Sequence, residues 1–412
     1  MTKAFALTNL SEVLLWFLFI VNKGLRDQFV HSLTDSRVLL TMIFWGWIAI
    51  SMSWGEAPVA ERLADWSSWR KLSLVPICFV VFRSHRAKSA LAASFLVTCT
   101  VFMFLSWLGH FELVTLDTEP TRLIENHSTQ GVLFAASGFL TYLMSTKSML
   151  FYKRALLWIL MVGFFANIFF VTIGRSGYVF LIVCCYLAAF FTFPKRFRAG
   201  ALLVPVLVVS GLMLSSASSQ RITEAVTEMS TAFSVSESYT SLGIRMVMWS
   251  NTIRMIEEKP FFGSGAGSFK YDYSGYVEGV QGWRGTIVDD PHQQYLHIAA
   301  EYGLVGLFFF GLAIFTWSCV IFKAKDIYVI FAIGVLMATL ANSFANGHFS
   351  SFVEGRLVWI CLAGFLAGTP DIFNNAMSRI IGMYRNMMRR KISRGHERPK
   401  KRLALGAGSM VG

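Results

Sequence analysis

The sequence predicts an all-α fold: a polytopic membrane helix bundle of 11–12 transmembrane helices, with one long external loop that contains amphipathic helices. Three observations lead there. Of 412 residues, 55% are hydrophobic and only 15% charged, whereas a soluble domain carries roughly 25% charge. Apolar runs of about 20 residues recur, each able to cross a hydrocarbon core of roughly 30 Å. Lys and Arg gather in every second short loop, the pattern that marks cytoplasmic loops.

The spans fall near 8–22, 38–54, 71–83, 89–109, 128–146, 155–174, 177–193, 199–215, 303–322, 327–346 and 352–368. The run at 71–83 is short for a crossing. Basic clusters at Arg83-Arg86-Lys88, Lys147-Lys153-Arg154, Lys195-Arg196-Arg198 and Lys323-Lys325 place those loops in the cytoplasm. The loops 54–70, 110–127, Gly174–Ser176, 216–302 and the turn near His348 then lie outside. Eleven spans put the N-terminus outside, and a twelfth would reverse it. The organisation is 1–215 N-terminal helices, 216–302 a large loop with the candidate functional elements, 303–368 C-terminal helices and 369–412 a basic cytoplasmic tail. In that tail 372–391 has amphipathic helical spacing suited to an anionic leaflet.

The net charge of +13 is accounted for by topology, so nucleic acid is not an expected partner. The six cysteines lie inside apolar runs and read as small core residues, without metal-ligand or disulfide spacing. No metal or cofactor site is expected.

Within 216–302, Ser218–Phe233 and Ile244–Glu258 have helical spacing, and Pro260 ends the second helix. Arg175, in Gly174-Arg175-Ser176-Gly177, is a charge between two apolar runs. It either faces a cavity or snorkels to headgroups. Arg245 opens an amphipathic helix. His292 sits in Asp289-Asp290-Pro291-His292-Gln293-Gln294-Tyr295, where an imidazole has carboxylates close by to orient it. His297, five residues on, would point roughly 140° away on a continuing helix and is expected to be dispensable. Gly263 and Gly265 form a tight turn that could present backbone N–H groups to a ligand; without a following Lys-Ser/Thr it is no nucleotide P-loop. His127 and Gln130, with Asn342, Ser343, Asn346, His348, Glu354 and Arg356, are weaker candidates; Glu354 and Arg356 could pair with each other.

Taken in order, three elements resemble the O-antigen ligase family, a superfamily that also holds O-antigen polymerases. They are Gly174-Arg175-Ser176-Gly177; Gly243-Ile244-Arg245 with Trp249, Pro260, Gly263, Gly265, Gly267 and Phe269; and His292-Gln293-Gln294-Tyr295-Leu296 with Glu301, Gly303 and Gly306. The resemblance covers roughly 120–365. It implies a membrane glycosyltransferase of the bacterial inner membrane with its active site facing the periplasm, acting in lipopolysaccharide assembly. The donor would be an undecaprenyl-diphosphate-linked glycan and the acceptor a sugar hydroxyl of lipid A–core. Transfer would be inverting and metal-independent, with Arg175 and Arg245 on the diphosphate, His292 as base, and Asp289, Asp290, Gln293 and Tyr295 in support. A polymerase joining lipid-linked repeat units is the alternative. A lipid or glycan transporter would need gated access from both faces, and no inverted repeat of broken spans supports it.

Sidedness is directly testable. A cysteine introduced near Ser236 should react with an impermeant reagent added outside, whereas one near Arg394 should be protected. Equal protection of both would reverse or abolish the predicted orientation.

Overall fold

Polar caps set the helix starts that hydropathy leaves vague. Asp35, Ser84, Asn126, Thr240 and Asp326 each accept a first-turn backbone N–H, so helices begin at Ser36, His85, His127, Ser241 and Ile327. The computed structural model describes residues 2–114, 123–124, 126–147, 150–172, 174–215, 218–220, 222–224, 226–227, 240–323 and 325–396. The position near Ser236 and part of the expected Ser218–Phe233 helix lie outside these.

The chain forms α1 (Thr2–Val21), α2 (Lys23–Ser32), α3 (Ser36–Ser51), α4 (Val59–Ser68), α5 (Leu74–Val81), α6 (His85–His110), α7 (His127–Ser145) and α8 (Phe151–Phe170). These are followed by α9 (Arg175–Thr192), α10 (Val204–Met213), α11 (Ser241–Glu258), α12 (Phe269–Val277), α13 (Gln294–Ser318), α14 (Ile327–Asn342), α15 (Val353–Leu366) and α16 (Ile372–His396). No strand occurs among the described residues. Among the described residues, five helical segments are long and apolar enough to cross a membrane: α6, α8, α9, α10 with the 3-10 segment before it, and α13 with the turn after it. The pair α2 and α3, bent by 91°, makes a sixth if taken as one span. The run at 71–83 becomes a 3-10 turn, Arg70–Ser73, leading into α5. The eight residues of α5 rise only about 12 Å. It is a short helix buried in the bundle rather than a crossing.

Residues 2–370 make one compact unit. Its middle is α7, apolar and buried nearly all round, which packs on α8 and α9. Beyond these, α14 packs on α9 and α15, α15 on α5, and α13 on α3. The contact of α7 with α9 is made by backbone: a Cβ on Gly177 would stand 2.8 Å from the Cα of Gly131. Residues from 371 onward form a second unit. In it α16 spaces Met377, Ile380 and Ile381 along one exposed stripe.

The bundle's main irregularity lies in α13. Gly303, at φ 70°, breaks the helix, which frees backbone groups on either side. In a membrane each unpaired group costs several kcal/mol. The run Pro260–Gly265 satisfies them. Leu304 and Val305 donate to the carbonyls of Pro260 and Phe261 at 2.8 and 3.2 Å, and Ser264 and Gly265 donate to those of Ala300 and Glu301 at 2.9 and 2.8 Å. This departs from the ligand-facing turn expected at Gly263 and Gly265. The Gly263 N–H bonds to the Lys259 carbonyl at 3.1 Å, so these three successive N–H groups serve the chain itself. A Cβ on Gly265 would lie 2.5 Å from the Cα of Gly55, so the same strap also seals against the loop after α3.

Gly303→Ala should therefore lower the thermal unfolding temperature, because the left-handed conformation alone costs about 1–3 kcal/mol in a residue with a side chain and the added methyl would sit 2.1 Å from the Phe261 carbonyl oxygen. Gly311→Ala, which meets nothing within 4 Å, should leave it unchanged or raise it. Equal effects of the two would sink this account of the break.

Candidate active site

Arg175 is the first residue of α9, and its position is set by bare backbone. A Cβ on Gly174 would stand 2.6 Å from the carbonyl oxygen of His127, so the turn lies directly against the start of α7. His127 thus contributes main chain to the placement of Arg175. Arg245 is the fifth residue of α11, whose cap Thr240 accepts the Gly243 N–H at 3.0 Å. The two arginines, distant in sequence, open into one cavity of about 730 Å³. Ser128, Ser176, Asn342 and Asn346 complete its polar rim. From Arg175 the wall descends α9 through Val179 to Ile182, about 10 Å along the helix axis, and Val209 and Leu212 of α10 face it. Arg175 also pairs with Glu224 at 3.6 Å, both side chains about one-third exposed. Arg175 thus lines the cavity that one of its two readings calls for.

His292 does not line that cavity. It stands on the loop beside it, at φ 52°, with its backbone N–H donated to Oδ1 of Asp290. Three ties fix the loop. Trp249 of α11 donates its indole N–H to the Pro291 carbonyl at 3.0 Å. Buried Gln294 accepts the N–H groups of Phe349 and Ser350 at 2.9 and 3.1 Å. Tyr295 donates its hydroxyl to the Leu340 carbonyl at 2.9 Å. Gln293 caps α13 by accepting the Leu296 N–H at 2.6 Å. The turn after α14 that Gln294 grips also carries Asn346, which donates to Ser176 at 3.1 Å. The loop of His292 and the start of α9 are therefore held by the same turn. Asp289 precedes this constellation and makes none of these contacts.

The remaining candidates separate from it. Glu354 and Arg356 do not pair with each other, because residues two apart on a helix point to different sides. Arg356 reaches Glu12 of α1 at 2.6 Å. Glu354 accepts from Thr129 and Ser351, each at 2.6 Å, and lies 3.6 Å from His348. Gln130 donates to Ser106 at 3.1 Å and joins Thr172. Lys71, 1% exposed, donates to the carbonyls of Ser350 and Ser351 and pins the far side of the same turn.

Asp65 escaped the sequence reading, and His297 was read as dispensable. Asp65 of α4 accepts the Tyr302 hydroxyl at 2.7 Å, and Trp69 donates to that hydroxyl at 2.9 Å. His297 lies 3.9 Å from Asp290 and 3.5 Å from Glu301. The His297–Glu301 spacing of four was visible as a helical pair. The setting of Asp65 was not, since all its neighbours are tertiary. Loss of water, then the charge of Glu301, pushes the Asp65 carboxyl up to about 8.

The chain aligns over residues 159–311 with the family model described as O-antigen ligase. No curated protein matches the chain. The matched stretch takes in Arg175, Arg245 and His292. The apolar helices and this match together indicate a multi-pass membrane protein.

Asp65 generates a stability signature. A carboxyl of ordinary pKa near 3.9 when unfolded and about 8 when folded makes the native state bind the extra proton. Its stabilisation is complete below about pH 4 and is lost as pH rises through about 8. The unfolding temperature of the wild type should fall across that window relative to Asp65→Asn. Parallel pH profiles for the two proteins would remove Asp65 as the cause.

Proposed function

We propose that this O-antigen ligase family protein moves a glycan from undecaprenyl diphosphate to a sugar hydroxyl of lipid A–core, on the periplasmic side of the inner membrane. The observation that carries the reading is the shared cavity: two guanidinium groups above an apolar wall, a shape suited to a diphosphate with a prenyl tail. Arg forks match phosphate oxygens bidentately, and a low-dielectric site strengthens that attraction. Glu224 holds Arg175 at 3.6 Å, so an arriving diphosphate exchanges one anion for another and leaves no naked cation. Val179, Ile182, Val209 and Leu212 take the first isoprene units.

His292 acts as general base. The acceptor hydroxyl oxygen attacks the anomeric carbon while its proton passes to the imidazole. The bond from that carbon to the diphosphate oxygen breaks, and its electron pair leaves on undecaprenyl diphosphate, where Arg175 and Arg245 stabilise the growing charge. Attack opposite the leaving group inverts the anomeric centre. No metal is required in this scheme.

Reconstitution with purified polyprenyl-linked glycan and two acceptors, lipid A–core and a lipid-linked repeat, tests the reading. Product should form on lipid A–core and be absent with the second acceptor; the reverse would identify a polymerase. Arg175→Lys keeps the charge but loses the fork, and should insert normally while losing most transfer. Its retention of wild-type rate would overturn the diphosphate role. His292→Ala should bind donor and transfer about 10²–10⁴ times more slowly. More than a tenth of the wild-type rate would exclude it as base.

A further inference from the structure

The residue expected to be dispensable, His297, stands where it can govern His292. Asp290 turns back so that one carboxylate oxygen accepts the His292 N–H. The other lies 3.9 Å from Nδ1 of His297. On the far side, Nε2 of His297 faces Oε2 of Glu301 at 3.5 Å, four residues along α13. Glu301 is itself immobilised: it is 2% exposed, and its Oε1 accepts the Phe269 N–H at 3.1 Å. The Phe269 ring stands edge-on to the imidazole at 5.3 Å. His297 is thus fixed from Glu301 and Phe269, and its free reach is toward Asp290. The other titratable group facing it is Asp65 of α4, held by Tyr302.

We infer that His297 is a positioning residue for His292: set between Glu301 and Asp290, its imidazole holds the Asp290 carboxylate in the place from which that carboxylate clamps the His292 backbone. The inference rests on the reading of His292 as the acceptor base. His292 has a left-handed φ of 52°, a conformation that a residue with a side chain keeps only under outside hold. The Asp290 bond supplies that hold, and it is directional only while the carboxylate cannot swing. A carboxylate near solvent, tied by one N–H, would swing. The His297 imidazole restrains it from one side, and the turn after α14 backs it from another: a Cβ on Gly347 would lie 2.7 Å from Asp290 Oδ2. The fixed point is Glu301, anchored in the strap that closes the α13 break. The direction of the imidazole of His292 is thereby set from the interior of the protein.

The test is steady-state transfer by the full-length protein in liposomes, with the polyprenyl-linked donor and lipid A–core, alongside donor binding and thermal unfolding. His297→Gln should lower kcat at least tenfold, with KM for the donor and donor binding unchanged. Asp290→Asn should do the same, and the double variant should lose no more than the worse single one, because both act through one contact. Gly347→Ala, which presses on the same carboxylate from another element, should reproduce the kcat loss with His297 intact. That variant keeps the inference testable should His297→Gln unfold. A kcat for folded His297→Gln within twofold of wild type would overturn the inference, as would multiplying losses in the double variant. His292→Ala separates this from the base reading. If it transfers at the wild-type rate, the base assignment fails. If it is inactive while His297→Gln is normal, only the positioning role fails.

Discussion

The structure depends on a helix being allowed to break inside an apolar bundle. Broken at Gly303, α13 carries carbonyls and N–H groups that hydrocarbon cannot solvate. The Pro260–Gly265 strap pairs four of them in reciprocal fashion. The His292 loop and the α11 end of the site hang from that junction. The segment before the break carries Gln293, Gln294, Tyr295, His297 and Glu301. The strap before it terminates α11, whose other end presents Arg245. A continuous α13 would leave the strap without partners and α11 without a fixed end.

A second constraint is the treatment of buried charge. Lys71 is buried against two carbonyls, and Arg356 is matched by Glu12 of α1. Such groups are poor sources of net stability, since desolvation offsets much of the attraction. What they provide is geometry. Lys71 holds one side of the turn after α14, Gln294 holds the other, and Asn346 ties its middle to α9. The turn becomes a rigid bracket between the arginine cavity and the loop of His292.

The sequence displayed the bundle clearly, because the cost of exposing polar backbone to lipid forces long apolar runs. Arg175 was conspicuous for the same reason, as a charge where charge is expensive. Three things were hidden. The break at Gly303 was hidden because glycine is ordinary in membrane helices and its letter carries no φ. The partner of Arg356 was hidden because Glu12 lies at the other end of the chain. The direction of His297 was hidden because an angular argument along one helix ignores Asp290, which leaves the helix and folds back to meet it. Periodicity reads an element against its own axis; it is silent about a neighbouring loop that returns.

The strap also has a consequence for how the molecule is made. Pro260–Gly265 leaves the ribosome before the residues of α13 that will pair with it. Until α13 is in place, the strap's donors and acceptors have only water or translocation machinery for company. The His292 loop cannot acquire its geometry while its host helix is still being threaded. The site is therefore assembled late in synthesis, by the arrival of a span rather than by local folding of the loop. A chain that stops short of Gly303 would have both arginines and the histidine, yet lack the partner that brings them to one place.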